Sequence, residues 1–314
     1  MPMSTHPILS VVLCTYNNAD SLAITLKQLS NQELQLKDCV EIIVVDNNSP
    51  DHTKQIYADF SQTCSLVSNY FFESRQGLSH ARNTGVTNAR GEYILFTDDD
   101  AEIPTYWLAS YLTQINSYKP DCLYSRINII WDKPKPWWFL PEYNPSFVIV
   151  DYGNQLLEVT DAHREFYGKN FCMKKTTLVE LGGFDPALGR NGTKLIAGEE
   201  TLLYRNMIDQ SRHLIYFPDA PVGHRLKERE YLAENIKKQF IDGAYSMHHL
   251  AKVTANKKVF GRPARAVYKS STALIKSIFL CFKYATTRKK PEYYYHYLNV
   301  LKHLTFIKLW ILSK

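Results

Sequence analysis

The sequence predicts an α/β protein with a mainly parallel sheet, helices on both of its faces, and a basic helical extension at its C-terminal end. Two observations predict the sheet. Short apolar, β-branched runs alternate with helical patterns over the first 100 residues, and polar clusters follow three of these runs. Near-continuous apolar strands separated by helices are typical of parallel sheets that are buried on both faces. A change of charge near residue 260 predicts the extension.

Runs of apolar and β-branched residues predict the strands, and apolar residues three or four apart predict the helices. In the first part of the chain these patterns give a strand at 8–13, a helix over 22–29, strands at 40–45 and 65–72, a helix over 77–89, a strand at 92–97 and a helix over 104–117. Later they give an irregular loop rich in Pro and aromatic residues at 131–146, strands at 170–174 and 213–217, and helices near 199–209, 228–255, 263–287 and 291–312.

The net charge of +6 is unevenly distributed. From Gly261 onward there are 11 Lys and Arg against the single acid Glu292, which leaves 26 basic and 30 acidic residues in the first 260. The body is therefore acidic, at −4, and the tail carries +10. This distribution does not favour nucleic-acid binding. We expect a basic amphipathic tail over residues 259–314 that attaches to an anionic membrane surface, or else packs against the rest of the protein.

Other features exclude several classes of protein. No apolar run approaches the roughly 20 residues of a membrane-spanning helix. The start, MPMSTHP, lacks the basic region of a secretory signal. The six cysteines are scattered with no C-x-x-C pair, which argues against a zinc site or a disulfide framework. We therefore expect a cytoplasmic protein, peripheral on the inner membrane if the tail binds lipid.

The run Asp98-Asp99-Asp100 directly follows a predicted strand. Adjacent carboxylates repel one another, so a compensating cation is expected nearby. Alternate side chains of an extended backbone share a face, so Asp98 and Asp100 can converge while Asp99 points away. A Mg²⁺ or Mn²⁺ ion that bridges to a phosphate-bearing substrate suits this arrangement. The alternative is a solvated acidic turn or a helix cap.

Four further features are candidate functional residues, each with a structural alternative. Asp46 and Asn48 end a predicted strand, where they contact a ligand or form a turn. Glu199-Glu200 opens a helix, where a glutamate serves as a general base or complements the helix dipole. His224 is a candidate third metal ligand. Trp137 and Trp138 stack on a sugar or anchor their loop.

Taken in order, these residues resemble family 2 glycosyltransferases, which have the GT-A fold. The resemblance covers about residues 7 to 250. It rests on SVVLCTYNN, IIVVDNNSPD, the segment RQGLSHARNTGVTNARGEYILFTDDD, the LGGFDP turn, GEETLLYRN and the histidine after FPDAPVG. It implies a catalytic domain at 1–258, with a nucleotide-binding half at 1–118 and an acceptor half at 119–258.

The resemblance also implies roles for individual residues. Thr15, Tyr16 and Asp46 would line the nucleobase and ribose pocket, with Asn48 and Arg75 nearby on the donor. Asp98 and Asp99 would face the nucleotide, while Asp100 and His224 would hold Mn²⁺ or Mg²⁺. Glu200 would be the catalytic base, although the family usually has Asp at its position. Apart from the resemblance, we expect Trp137, Trp138 and Glu199 to contact the acceptor.

The predicted activity is therefore inverting, metal-dependent transfer of a sugar from a nucleotide-sugar, most simply a UDP-sugar, to a glycan or lipid-linked acceptor in polysaccharide biosynthesis. Two alternatives stay open. A catalytically inactive member would bind a nucleotide-sugar or glycan without transferring it. A sugar nucleotidyltransferase would need a Gly-rich, basic phosphate loop after the first strand, where this chain has Thr15-Tyr16-Asn17-Asn18.

Overall fold

The computed structural model describes residues 7–34, 39–191, 195–254, 258–259 and 262–312. Its strands are, in chain order, β1 Leu9–Thr15, β2 Val40–Asp46, β3 Val67–Phe72, β4 Tyr93–Asp98, β5 Ala101–Glu102, β6 Cys122–Tyr124, β7 Ile127–Ile130, β8 Leu157–Glu158, β9 Phe171–Lys174, β10 Leu214–Tyr216, β11 Val222–Arg225, β12 Lys258–Val259 and β13 Arg262–Pro263. Its helices are α1 Ala19–Ser30, α2 Thr53–Thr63, α3 Leu78–Asn88, α4 Trp107–Tyr118, α5 Lys175–Glu180, α6 Glu199–Asp209, α7 Ala233–Thr254, α8 Ala264–Thr286 and α9 Lys290–Leu312.

The central sheet has the strand order β3-β2-β1-β4-β9-β6-β10-β8. Strands β3, β2, β1 and β4 are mutually parallel, and β9 lies antiparallel between β4 and β6. The predicted α/β class is confirmed, and each strand and helix predicted from the sequence is present. The pattern gave no range for the strands β5, β6, β7, β8, β11, β12 and β13 or for the helices α2 and α5. Strands of two to four residues show little of a periodicity.

Buried side chains cover both faces of the sheet. Successive residues of β1 divide between two clusters, with Val11 and Leu13 in one and Val12 and Cys14 in the other. This division explains why β1 is apolar at nearly every position instead of alternating. Around β1 both faces of the sheet are therefore closed to solvent, which leaves the ends of the strands as the place where polar side chains gather.

The carboxyl ends of the parallel strands meet at one edge of the sheet. Thr15, the last residue of β1, pairs with Asp46 at the end of β2, and Asp46 pairs with Phe72 at the end of β3. On the other side of β1, Cys14 pairs with Asp98 at the end of β4. The polar clusters after β1, β2 and β4 thus lie together, as the sequence predicts.

Two pairings outside the parallel strands bring distant residues to this edge. The antiparallel register of β4 and β9 pairs Phe96 with Phe171, so continuing it by two positions puts Lys169 opposite Asp98. In a second, three-stranded sheet of order β5-β11-β7, β5 pairs with β11 and sets His224 against Ala101.

The chain divides into two compact units that interleave along the sequence. The first comprises residues 1–130, 148–186 and 199–225, and it contains both of these sheets. The second comprises residues 131–147, 187–198 and 226–314. The domain boundaries expected at residues 118 and 258 stay predictions.

Within the second unit, α9 packs against both α7 and α8. The segment predicted as an irregular loop contains a 3₁₀ helix, Pro141–Phe147. Tyr143 in this helix packs edge-on against Phe240 of α7 and Tyr295 of α9. No helix in the described ranges is long and apolar enough to cross a membrane.

Candidate active site

The three adjacent aspartates after β4 do not share one environment. Asp98 and Asp100 both contact the ammonium group of Lys169, which lies 3.2 Å from Asp98 Oδ2 and touches Asp100 Oδ1. Asp99 turns away, and its carboxylate accepts hydrogen bonds from Thr15 Oγ1 at 2.7 Å and from Asn18 Nδ2 at 2.6 Å. The alternation expected of extended backbone therefore brings the first and third carboxylates together and ties the second to the end of β1.

Lys169 is a protein cation that offsets the repulsion between these carboxylates. Its side chain is only 2% exposed. Burial lowers the pKa of Lys169, but the charges of Asp100 and Asp98 outweigh burial and raise it. Burial raises the pKa of Asp98, while Lys169 and Arg82 together lower it by more. The lysine and Asp98 are therefore both charged at neutral pH, so the buried ammonium of Lys169 has an ionised partner whose own side chain is partly exposed.

The next residue, Asn170, fixes the backbone at this point. Its Oδ1 accepts hydrogen bonds from Trp107 Nε1 and from Tyr111 Oη, both at 2.9 Å. Its Nδ2 donates to the carbonyl groups of Arg126 and Ala220, both at 2.8 Å. Because both ends of the amide are satisfied among buried partners, this segment is held in one orientation.

Glu199 and Glu200, at the start of α6, share one buried cation. Arg82 of α3 places Nη1 2.8 Å from Glu199 Oε1 and 2.8 Å from Glu200 Oε1, and its Nη2 lies 3.7 Å from Asp98 Oδ1. The backbone N–H of Gly168 donates a further hydrogen bond to Glu200 Oε1 at 3.1 Å. Arg82 thus links the acidic turn after β4 to the two glutamates.

The two glutamates differ in exposure and in protonation. The side chain of Glu199 is 3% exposed and that of Glu200 is 12% exposed. Burial, followed by the charge of Glu200, raises the pKa of Glu199 to about 8, against the opposing charge of Arg82. Glu199 therefore carries a proton at neutral pH. Glu200 is the more accessible carboxyl group of the pair, so it is better placed to meet a reactant.

Gly168 has no room for a side chain. A Cβ at this position would overlap Arg82 Nη2 and lie 2.5 Å from Glu200 Oε1. We therefore expect Gly168→Ala to displace both side chains and to lower the transfer rate by about 10². The matched control is Gly243→Ala in α7, where the nearest atom to a new Cβ lies 3.9 Å away. Steady-state kinetics on both variants measure the effect, and equal rates would show that turnover does not depend on this close approach.

His224 lies beside Asp100, as predicted from the sequence. Its Nε2 is 3.8 Å from Asp100 Oδ2. The following residue, Arg225, donates its backbone N–H to the carbonyl of Asp100 at 3.1 Å, and its guanidinium donates to the carbonyl of Ala101 at 2.6 Å. These contacts hold β11 against the turn after β4, so residues 124 positions apart in sequence form one corner of the site.

The side chains of Asp100 and His224 fit a divalent cation. A carboxylate oxygen and an imidazole nitrogen 3.8 Å apart can both contact one ion, since ligand distances for such ions are about 2 Å. Lys169 contacts the other oxygen of Asp100, Oδ1, and so does not occupy this position. In the part of the chain that the structure describes, no three His, Cys, Asp or Glu side chains converge on a metal position. An ion here would complete its coordination with oxygens of water or of a ligand.

The predicted nucleobase and ribose residues lie at the ends of β1 and β2. Asp46 accepts hydrogen bonds from Tyr70 Oη at 2.6 Å and from the backbone N–H of Ser49 at 2.8 Å, so it forms the turn that the structural alternative describes. Each carboxylate oxygen retains a second lone pair for a ligand. Thr15 is buried, whereas Tyr16 is 43% exposed.

Asn47, and not the predicted Asn48, organises the loop after β3. Its side chain donates to the carbonyls of Glu73 and Arg75 and accepts from the N–H of Gly77 at the start of α3. Asn48 itself is exposed and has a left-handed backbone, with φ of 61°. The hydrogen bond from Arg75 is the main cause that lowers the pKa of Glu73 to about 2, so this arginine is already held in an ion pair.

The paired tryptophans belong to the second unit and differ from each other. Trp138 is 1% exposed, stacks on Phe147 and meets Tyr143 edge-on. It anchors its loop, and in this arrangement its ring has no face for a sugar. Trp137 is 50% exposed, with the ammonium of Lys290 4.5 Å from its ring centroid. Glu199, also expected at the acceptor, is buried. A contact between Trp137 and the acceptor stays a prediction.

Sequence reasoning gave no role to Arg82, Gly168, Lys169 or Asn170. A signal existed for Arg82, because it shares a helix face with Ser79 and Gly85 and so had to be buried against the sheet. The other three precede a strand of only four residues, and no pattern in the sequence indicates which residues they face.

Comparison with known proteins agrees with this geometry. Glycosyl transferase family 2 matches residues 10–182, which is more than half of the chain. The glucosyl-dolichyl phosphate glucuronosyltransferase of Haloferax volcanii is 29% identical over 229 residues, covering 70% of this chain and 69% of that protein. The GalNAc(5)-diNAcBac-PP-undecaprenol beta-1,3-glucosyltransferase of Campylobacter jejuni is 32% identical over 111 residues, covering 35% of each chain. The match thus spans about a third of the length of that relative.

Solved structures show the same fold. The mannosyltransferase PcManGT from Pyrobaculum calidifontis, in complex with GDP-Man and Mn²⁺, has a TM-score of 0.63 at 18% identity, covering 98% of this chain and 88% of that chain. TarS from S. aureus, in complex with UDP-GlcNAc, has a TM-score of 0.57 at 16% identity, covering 94% and 91%. At these identities the likeness shows the fold alone, and the predicted GT-A fold is confirmed.

Proposed function

The chain belongs to glycosyl transferase family 2, and from that premise we propose that it moves a sugar from a nucleoside-diphosphate sugar to a lipid-linked glycan with inversion. The single observation that carries this proposal is the buried network that joins Asp98 and Asp100 to Glu200 through Lys169 and Arg82. This network supports the proposal because it brings a candidate metal position and a candidate general base to one edge of one sheet.

Glu200 is the proposed base. Its Oε1 is held by Arg82 and by the backbone N–H of Gly168, so we assign proton uptake to Oε2. The acceptor hydroxyl loses its proton to Glu200 as its oxygen bonds to the anomeric carbon of the donor. The bond from that carbon to the phosphate oxygen breaks, and the nucleoside diphosphate leaves from the opposite face. Holding the carboxylate at a fixed position lowers the entropic cost of this encounter.

At the donor end, we propose that Asp100 and His224 hold a divalent cation, Mn²⁺ or Mg²⁺. When bound, such an ion supplies charge stabilisation to the departing diphosphate. The proposed role of Asp99 is structural, because the hydrogen bonds that it accepts from Thr15 and Asn18 fix the loop after β1 beside Tyr16. Mn²⁺ in the PcManGT complex and UDP-GlcNAc in the TarS complex support this type of donor site.

A ligand panel followed by a transfer assay tests the function. We expect UDP-glucose, UDP-GlcNAc, UDP-glucuronic acid or GDP-mannose to raise Tm, and to do so more with Mn²⁺ than with EDTA, because ligands of the folded state stabilise it. The stabilising donor is then incubated with undecaprenyl- or dolichyl-linked glycans, and the product is analysed for anomeric configuration.

Asp100→Ala is the matched variant, and we expect it to fold while losing the Mn²⁺-dependent part of the Tm shift. Donor binding without transfer or donor hydrolysis would favour the inactive binding protein instead. Retention at the anomeric carbon would contradict the inverting mechanism, and full activity of Asp100→Ala with Mn²⁺ would contradict the metal assignment.

We also propose that α8 attaches the protein to an anionic lipid surface. One face of this helix is apolar and exposed, with Tyr268, Ile275, Phe279 and Phe282 between 68% and 72% exposed. These residues lie seven, four and three positions apart, so they form one stripe along the helix. The opposite face is buried at Ser270, whose hydroxyl meets the ring of His303 on α9 at 2.9 Å.

The basic residues beside this stripe indicate that an anionic lipid surface binds to it. Lys269, Lys276 and Lys283 are exposed, repeat every seven residues, and so run along one flank of it. A row of basic residues beside an apolar stripe suits an anionic headgroup layer with acyl chains beneath it. The Haloferax and Campylobacter relatives carry dolichyl phosphate and undecaprenol in their names, which supports a membrane-bound acceptor for this chain too.

Vesicle sedimentation tests the attachment. We expect the protein to pellet with vesicles of phosphatidylcholine and phosphatidylglycerol and to remain in solution with phosphatidylcholine alone. The double substitution Phe279→Ser and Phe282→Ser should abolish pelleting. Val179→Ser, at a site on α5 that is 60% exposed, should not. If both variants pellet like the wild type, the stripe on α8 is not the lipid contact.

A further inference from the structure

We infer that Lys169 makes metal binding depend on the nucleotide, because its ammonium already neutralises part of the carboxylate charge that a divalent cation would otherwise use. This inference rests on the proposed donor site and adds that Lys169 controls metal binding there. Lys169 is a positioning residue in this role, since it contacts Asp98 and Asp100 and is too buried to touch a donor.

The corner formed by Asp98, Asp100 and Lys169 carries less negative charge than its two carboxylates alone would give it. The two carboxylates of Asp98 and Asp100 carry −2, and the ammonium of Lys169 reduces this to −1. The guanidinium of Arg82 lies 3.7 Å from Asp98 Oδ1, whereas Lys169 contacts the other oxygen, Oδ2. Glu199 and Glu200 share the positive charge of Arg82. A divalent cation therefore meets a corner whose two carboxylates and one ammonium leave about half of the carboxylate charge.

The described residues supply few ligands for an ion at this corner. Asp100 Oδ2 and His224 Nε2 are in position to contact one ion, and the described residues offer no third His, Cys, Asp or Glu side chain. The carboxylate of Asp98 is engaged by Lys169. Two protein ligands are too few for an ion that takes six, so the remaining positions fall to water or to diphosphate oxygens.

A bound nucleoside diphosphate brings both the missing oxygen ligands and the missing negative charge. With Lys169 in place, we expect an ion to bind weakly to the protein alone and more tightly when the nucleotide is also bound. Lys169 cannot leave easily, because its side chain is enclosed and Asn170 fixes the backbone beside it.

Mn²⁺ binding to the full chain, followed by the electron paramagnetic resonance of free Mn²⁺, tests the inference without catalysis. Wild type is titrated alone, with UDP and with GDP. We expect weak binding alone and binding about tenfold or more tighter with the accepted nucleotide, beyond the affinity of Mn²⁺ for that nucleotide in solution. We expect Lys169→Met to bind Mn²⁺ alone about tenfold or more tighter than wild type, the order expected for removing one unit charge at close range.

Two variants complete the design. Lys169→Arg retains the charge and should behave like wild type, which keeps the test valid if Lys169→Met folds poorly. Lys174→Met on β9 removes a lysine paired with the exposed Glu92 at 3.4 Å and should change nothing. The inference is overturned if wild type binds Mn²⁺ equally well with and without nucleotide, or if Lys169→Met binds it no tighter. Absence of Mn²⁺ binding under every condition would instead overturn the proposed metal site itself.

Discussion

Glu200→Gln is expected to lower turnover by about 10² to 10⁴, the range typical for loss of a general base. The amide keeps the size of the side chain and can still accept from Arg82 and from the Gly168 N–H, so the pocket keeps its shape. It cannot take a proton from the acceptor hydroxyl. We therefore expect kcat to fall while the donor-induced Tm shift is unchanged, and transfer kinetics together with thermal shift measure both.

Glu199→Gln is the matched control for this prediction. Glu199 is protonated at neutral pH, since its pKa is raised to about 8, and a glutamine resembles that protonated form. We expect turnover within about threefold of wild type, well below the loss expected of a base. An inactive Glu199→Gln beside an active Glu200→Gln would reverse the assignment of the two glutamates.

Arg82→Met is expected to cause the largest loss of stability, about 3–5 kcal/mol, because it leaves buried carboxylates without their cation. Glu200 and Asp98 would then lose a cation at the edge of the sheet, and the protonated Glu199 would lose a hydrogen-bond donor. Without Arg82, the pKa of Asp98 in the folded state rises relative to wild type, because one of the two charges that lower it is gone. The folded variant then binds more protons than folded wild type, so the loss is small at acid pH, where Asp98 is protonated, and grows as the pH rises toward neutrality.

Urea denaturation at pH 5 and pH 7.5 measures this difference. The control is Arg212→Met, since Arg212 pairs at 2.9 Å with Glu180, whose side chain is 56% exposed. A surface pair of this kind contributes about 0–1 kcal/mol, so the control should unfold nearly like wild type at both pH values. An Arg82→Met protein whose loss of stability does not change with pH would show that the three carboxylates are not what Arg82 stabilises.

The order of the long elements could be predicted because each contains enough residues to show its period. Strand β1 and helix α6 are examples, since Leu9–Thr15 and Glu199–Asp209 agree with the predicted ranges to within two residues. The convergence of Asp98 and Asp100 was equally predictable, because alternation along an extended backbone is a local property.

The counter-charges of the site could not be predicted in the same way. The sequence indicates that the acidic turn needs a neighbouring cation, but it does not distinguish a metal ion from a lysine. Lys169 is found only from the antiparallel pairing of β4 with β9, which is a long-range register with no local signal. Trp138 shows the converse, because its role depends on what packs around it and not on its neighbours in sequence.

The separation of Asp100 from Lys169 by 69 positions has a consequence for folding during synthesis. When the parallel strands β1 to β4 have left the ribosome, the acidic turn is complete but its lysine is not yet made. Arg82 is present earlier, although its partners Glu199 and Glu200 are still more distant. We therefore expect the first 100 residues to emerge with unbalanced charge at the sheet edge, and the nascent half-sheet to gain its full stability only when β9 inserts beside β4.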